Sequence, residues 1–128
     1  MKLFIGVAAA AAWTIVSVAA LAQSTPEMTR QQTAQAFKDY CAGRSDTRGA
    51  PHISEQCACA AGVLAGHLTP RQYAIMGRLV ALTDDPAAEA AEARKMVGEG
   101  YSAQEIGEAG NLITSLSPEV SAVCDGLT

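Results

Sequence analysis

Tryptophan occurs once, at Trp13, and aromatic residues make up only 5% of the 128 residues, so a large aromatic core is excluded. No run of alternating apolar and polar residues is long enough for a useful strand, which argues against any sheet-based fold. Basic clusters are also missing. Nine Lys and Arg stand against thirteen Asp and Glu, for a net charge of −4. A mildly acidic chain gains nothing from phosphate backbones or anionic lipid, so nucleic-acid and membrane-surface binding are not expected. There is no Gly-rich phosphate loop, Gly-x-Ser-x-Gly elbow, paired-carboxylate set or metalloprotease histidine pattern. Internal repeats are absent as well.

What is present begins with an export pattern. Lys2 supplies one positive charge, Leu3 to Leu21 carries none, and the stretch ends Ala20-Leu21-Ala22. Small residues at the −3 and −1 positions suit signal peptidase, so residues 1–22 read as a signal peptide and Gln23 as the mature N-terminus. The competing reading is a retained anchor, since the stretch approaches the roughly 20 apolar residues that span a bilayer. Its Ala-rich content and well-formed cut site favour cleavage. Residues 23–128 are then one domain, with eight basic and thirteen acidic residues once Lys2 has left with the leader. The expected location is the periplasm or the secreted fraction, with no membrane attachment after cleavage.

The mature core must be thin. Its aromatics are Phe37, Tyr40, Tyr73 and Tyr101, and much of the remaining apolar content is Ala, which buries little area at ~25 cal/mol per Å². A domain of this size with so small a core needs another source of stability. Cys41, Cys57, Cys59 and Cys124 supply it: an even count in a small exported domain reads as a disulfide framework. On a helix, Cys57 and Cys59 point roughly 200° apart and must reach different partners. Two pairings remain open, 41–57 with 59–124 and 41–59 with 57–124, and the first is favoured. On the loop-entropy account a 41–57 link is worth about 3 kcal/mol and a 59–124 link somewhat over 4 kcal/mol, before native strain is subtracted.

Along the chain the signals are helical. A first helix is expected from near Pro26, capped by Thr25, to Cys41, with Phe37, Tyr40 and Cys41 at helical contact spacing. Gly43 to Pro51 is a loop carrying Arg44, Asp46 and Arg48, read as a solvated surface patch. A second helix runs from Ile53 to His67, with Ile53, Cys57, Ala60, Leu64 and Leu68 on one stripe. Thr69-Pro70-Arg71-Gln72 opens a third through a capping box, and Tyr73, Met76, Leu79 and Val80 keep the period of a buried face. Asp84 and Asp85 cap a fourth over 86–97. They lack the alternating oxygen ligands of a calcium loop. Gly98 and Gly100 end that helix. Ser102-Ala103-Gln104-Glu105 is another capping box, opening a fifth to about Leu116, where Gly107 and Gly110 would admit a neighbouring helix. Ser117-Pro118-Glu119 is read as restarting a short last helix that returns Cys124 to the core. The expected fold is all-α: a small bundle of about four to five short helices stapled by two disulfides.

Tyr40-Cys41, Cys57-Ala58-Cys59, Leu68-Thr69-Pro70 and Val123-Cys124 together resemble a pattern of small exported bacterial helical proteins of unknown function. These share a Cys ending the first helix, a Cys-x-Cys opening the second and a near-terminal Cys. The resemblance spans roughly 37–125 and implies fold and disulfides, with no activity attached.

No catalytic residues, metal ligands or cofactor are assigned. His52 lies in a Pro-led turn and His67 near a helix C-terminus, where a capping role fits better than catalysis. By elimination the expected function is non-enzymatic, a protein-binding or accessory domain with a partner in the cell envelope. The alternative is a thiol-redox or copper-handling protein, using Cys57-Ala58-Cys59 as a dithiol or the cysteines with His52, His67, Met28, Met76 and Met96 as soft ligands. A thiol count on natively purified protein separates the two. Zero free thiols and no bound copper is the expected result, whereas two or more thiols or stoichiometric copper would favour the alternative.

Overall fold

The computed structural model describes residues 27–127. The expected leader and its cut after Ala22 lie outside them, as do Thr25 and Pro26. Five α-helices carry the described residues: α1 (Arg30–Gly43), α2 (Ile53–His67), α3 (Pro70–Leu79), α4 (Pro86–Gly98) and α5 (Ala103–Cys124). One turn of 3-10 helix, Val80–Leu82, follows α3. Among the described residues there is no strand.

Local chemistry sets most of the helix starts. Thr69 caps α3 and Ser102 caps α5, each in a reciprocal capping box with Gln72 and Glu105. The Asp85 carboxylate accepts from the Ala88 N–H at 3.1 Å to open α4. The first helix starts later than the sequence suggests. Thr29, not Thr25, is its cap: the Gln32 N–H donates to Thr29 Oγ1 at 3.2 Å and the Thr29 N–H donates to Gln32 Oε1 at 2.8 Å. That Thr-x-x-Gln reciprocity satisfies two otherwise orphaned donors, and residues 27–29 stay non-helical. Helix α2 has no side-chain cap and starts from His52 in the left-handed region, φ 61°, a conformation histidine adopts more readily than most residues.

Helix α4 ends in a Schellman turn. Gly100 takes φ +105°, the Tyr101 N–H donates to the Met96 carbonyl and the Gly100 N–H to the Val97 carbonyl. The turn folds Tyr101 back against Met96, and the two share one core cluster.

No break occurs at Ser117-Pro118. Helix α5 runs 22 residues straight through Pro118, so the expected short last helix is the end of α5. Proline removes the bond to the carbonyl four residues back, that of Thr114. Thr114 and Pro118 are both exposed, so water can take up that carbonyl. Meanwhile Leu116 and Cys124, two turns apart on one stripe, hold the helix against the core.

The middle of α3 is buried on every side. Tyr73, Ala74, Ile75, Met76 and Gly77 are all at most a few per cent exposed, so this helix is the axis of the fold rather than an element with one buried face. Tyr73 and Met76 join Leu64, Leu68 and Leu116 in one cluster. Ile75 joins Met96, Tyr101 and Ala109 in a second. Helix α1 crosses α3 at Gly77, where a Cβ would lie 2.7 Å from Thr33 Oγ1 and 3.1 Å from Thr33 Cα. Close approach therefore belongs to Gly77. At Gly107 and Gly110 a Cβ would meet nothing within 4 Å. The contact leaves the buried Thr33 hydroxyl without a hydrogen-bond partner.

Two disulfides close the bundle, Cys41–Cys57 and Cys59–Cys124, with Cα–Cα distances of 5.8 and 5.7 Å. The first ties the end of α1 to the start of α2 across the loop; the second ties α2 to the last residue of α5. The diverging directions of Cys57 and Cys59 send them to different partners, as helical geometry requires.

Gly77→Ala and Gly107→Ala are the same chemical change with opposite expected signs. Overpacking against the α1 backbone should make Gly77→Ala destabilising by about 1–2 kcal/mol after the helix-propensity gain. Gly107→Ala, exposed and unobstructed, should stabilise by about 0.5–1 kcal/mol. Urea unfolding of the two variants checks this, and equal stabilisation of both would remove the close crossing.

Candidate functional site

The residues weighed for chemistry are not brought together. All four sulfurs are in disulfides and no cysteine is free. Cys57 and Cys59 belong to different bridges, and Cys57 is fully buried. His67 does not cap α2, since the cap carbonyl of Leu64 receives the Leu68 N–H. Instead, His67 Nε2 lies 2.9 Å from Glu119 Oε1, tying α2 to α5. His52 is exposed on the opposite end of α2. Met76 and Met96 sit in different core clusters. Among the described residues, no group of three or more His, Cys, Asp or Glu could hold a metal ion.

In the loop after α1, both arginines are engaged locally. Arg44 makes a two-pronged contact with Asp46, Nε to Oδ1 at 3.0 Å and Nη2 to Oδ2 at 2.9 Å, and lies over the Tyr40 ring. Arg48 Nη2 donates to the Gly43 carbonyl at 2.9 Å, capping α1. The patch is a self-paired loop, as the solvated reading expects.

Two arginines that the sequence does not single out brace the helices against one another. Arg71, near the start of α3, donates through Nε and Nη2 to the Glu105 carboxylate of α5, and through Nη2 to the Gly100 carbonyl at 3.2 Å. Its guanidinium carbon sits 4.1 Å from the centre of the Tyr101 ring, and Nη1 lies 3.7 Å from Glu27. The hydrogen bond from Arg71, helped by the Ser102 N–H, holds the Glu105 carboxyl below its ordinary range. Burial pushes the Tyr101 phenol up, with Glu27 adding to it. Arg78, only 13% exposed, binds two carboxylates at once. Its Nε donates to Glu92 of α4 at 2.8 Å, and Nη1 donates to Glu99 at the end of α4. Burial alone would lower the Arg78 pKa, but the hydrogen bonds to Glu99 and Glu92 outweigh it and the net shift is upward. Both arginines are positioning groups for helices, and neither lines the groove between α1 and α2 or the cleft among α1, α3, α4 and α5.

A shallow hollow of about 400 Å³ lies beside the loop after α1, lined by Asp39, Tyr40, Arg44 and Asp84, and two further concave surfaces lie elsewhere. The first is an open groove of about 360 Å³ between α1 and α2. Its floor is Ala58, Ala61, Gly62 and Ala65, at helical spacings, with Tyr73 beneath. The Tyr73 hydroxyl donates to the Ala61 carbonyl at 3.2 Å, and burial pushes its pKa up. Along the α1 rim stand Arg30, Gln31 and Lys38. Neither cation is in an ion pair among the described residues, as is also true of the exposed Arg48, Arg94 and Lys95, whereas Arg44, Arg71 and Arg78 are paired. The second surface is a more enclosed cleft of about 200 Å³ among α1, α3, α4 and α5, walled by Phe37, Ile75, Leu79 and Ile113.

The Arg71–Glu105 pair gives a pH test. A carboxyl whose folded pKa is depressed adds stability above its unfolded pKa, near 4.5, and loses it as pH falls through the folded value. Arg71→Met should therefore lower the melting temperature at pH 7, and the gap to the unaltered protein should narrow steadily below about pH 4.5. A gap independent of pH would assign the Arg71 effect to Tyr101 stacking alone.

No family model, curated protein or solved structure matches this chain.

Proposed function

We propose that this chain is an exported, non-enzymatic accessory domain that binds a protein partner in the cell envelope through the groove between α1 and α2. The groove carries the reading. In a chain with more acid than base, Arg30 and Lys38 have no carboxylate partner among the described residues, on the rim of a floor made of Ala and Gly. Side chains this small let another backbone approach closely, and unspent cations attract an acidic segment and fix its register. Arg30 and Lys38 lie eight residues apart on α1, so their side chains are about 12 Å apart along the axis. An acidic helix with carboxylates two turns apart matches them.

The setting fits export. Two disulfides persist in oxidising compartments outside the cytoplasm. No helix among the described residues is long and apolar enough to cross a membrane. An export leader at residues 1–22 accords with both, and periplasm or secreted medium is the proposed location.

A photo-crosslinking side chain placed at Gly62, which is exposed with open space around its Cα, tests the reading in living cells. One dominant adduct is expected from Gly62 and none from the same probe at exposed Gly126. The double reversal Arg30→Glu/Lys38→Glu should abolish the adduct while leaving the melting temperature within a few degrees. An adduct indifferent to the reversal, or equal at both positions, would discard the groove as the binding face.

A further inference from the structure

We propose that the cleft among α1, α3, α4 and α5 binds a short aliphatic primary amine in its ammonium form, with the chain against Ile75, Leu79 and Ile113 and the ammonium at Glu89. This inference is independent of the groove between α1 and α2.

The donor and acceptor inventory of the cleft points to the ligand. Glu89 is the one titratable side chain on its wall. It is partly buried and has neither a hydrogen bond nor an ion pair among the described residues. Two hydroxyls also reach the wall. Thr83 Oγ1 donates to the Val80 carbonyl at 2.6 Å, and Thr114 Oγ1 donates to the Gly110 carbonyl at 3.0 Å. Their protons are spent, so only lone pairs face outward. Every other lining side chain is apolar or absent. The cleft thus offers acceptors, one of them anionic, and no side-chain donor.

An ammonium group is the complement: three donors, no acceptor and a positive charge. A carboxylate or phosphate would bring like charge and find nothing to donate to it. An alcohol matches the acceptors only in part. The walls set the rest of the ligand, because a carbon chain is what Ile75, Leu79 and Ile113 reward. At roughly 30 Å³ per small heavy atom, about 200 Å³ holds six or seven atoms. A six-carbon amine has seven. Glu89 lies in the first turn of α4, where the helix dipole also favours a carboxylate. The dipole accounts for an acidic residue there, and its place on the wall of an apolar cleft is what an ammonium would use.

The test uses the disulfide-intact protein and three probes that differ only at the head group: hexylammonium, hexanol and hexanoate. Methyl NMR reads binding at Ile75, Leu79 and Ile113. Saturable shifts with hexylammonium at millimolar concentration are expected, with hexanol weaker by about five- to tenfold and hexanoate silent. Glu89→Gln should reduce hexylammonium to the level of hexanol and leave hexanol unchanged. Gly110→Leu, at an exposed helical position lining the cleft, should fill the space and remove all three responses from a protein that still melts cooperatively. Equal binding of hexanol and hexylammonium, or hexylammonium binding that survives Glu89→Gln, overturns the proposal. Tighter binding of Nα-acetyl-lysine methylamide than of hexylammonium also overturns it, in favour of a lysine from a partner protein.

Discussion

The bond between Cys59 and Cys124 closes a loop of 65 residues, and the rest of the bundle hangs on that closure. Helices α3 and α4 lie wholly inside the ring, so their unfolded states are restricted by a link made elsewhere. The entropic worth of such a loop, about 4 kcal/mol, is large beside the 5–15 kcal/mol typical of a whole domain. Packing here could not easily replace it. The largest fully buried side chains are Tyr73, Ile75, Met96, Thr33 and Cys57: one aromatic ring, one branched aliphatic, one thioether, a hydroxyl with no partner and half a disulfide. The remaining interior adds Leu64, Leu68, Met76, Val80, Tyr101 and Leu116, with four alanines that bury little area per residue. The second bridge, Cys41–Cys57, closes only 16 residues. Its effect is more local, holding the left-handed entry at His52 and the α1–α2 corner.

A thin core also specifies direction poorly, because alanine faces slide past one another at small cost. The arginines supply what packing lacks. Helix α4 has a single buried residue, Met96, yet Arg78 of α3 grips it at Glu92 and again at Glu99. Those two attachment points fix both the rotation and the axial position of α4. Arg71 does the same for α5 through Glu105, while its contact with Gly100 and Tyr101 secures the turn between them. Partly buried ion pairs add little net stability over apolar packing. Their use in this fold is registry, and removing one partner would leave a carboxylate facing a protein wall.

How legible this was in the sequence follows from the range of each interaction. Capping boxes span four residues, so Thr69–Gln72 and Ser102–Glu105 could be read directly. The first helix shows the limit: Thr25 followed by Pro26 and Thr29 followed by Gln32 are both sound starts, and reciprocal hydrogen bonding decides for Thr29. Pro118 misleads because its local cost is real but is outweighed by Leu116 and Cys124 docking on distant helices. The glycines mislead in the same way, since Gly77 matters through Thr33, 44 residues away, whereas Gly107 and Gly110 face open space. The contacts of Arg71 and Arg78 join residues 14 to 44 apart, beyond any periodicity. Diverging cysteines narrowed the disulfides to two pairings, but choosing between them required the path of α5.

The same constraints place the groove and the cleft. The groove lies between α1 and α2, which Cys41–Cys57 joins covalently, so a partner meets walls already ordered and loses less entropy in binding. One wall of the cleft is α4, which Met96 and the two carboxylates bound by Arg78 hold in place against α3. Helix α1 borders both sites, Arg30 and Lys38 facing the groove and Phe37 the cleft. Coupling between them would need α1 to have two alternative positions. Its end is bonded at Cys41, and at Thr33 it already touches α3 with no room for even a methyl group. An element pinned at both points cannot serve as a relay, so occupancy of the groove and of the cleft should be energetically independent.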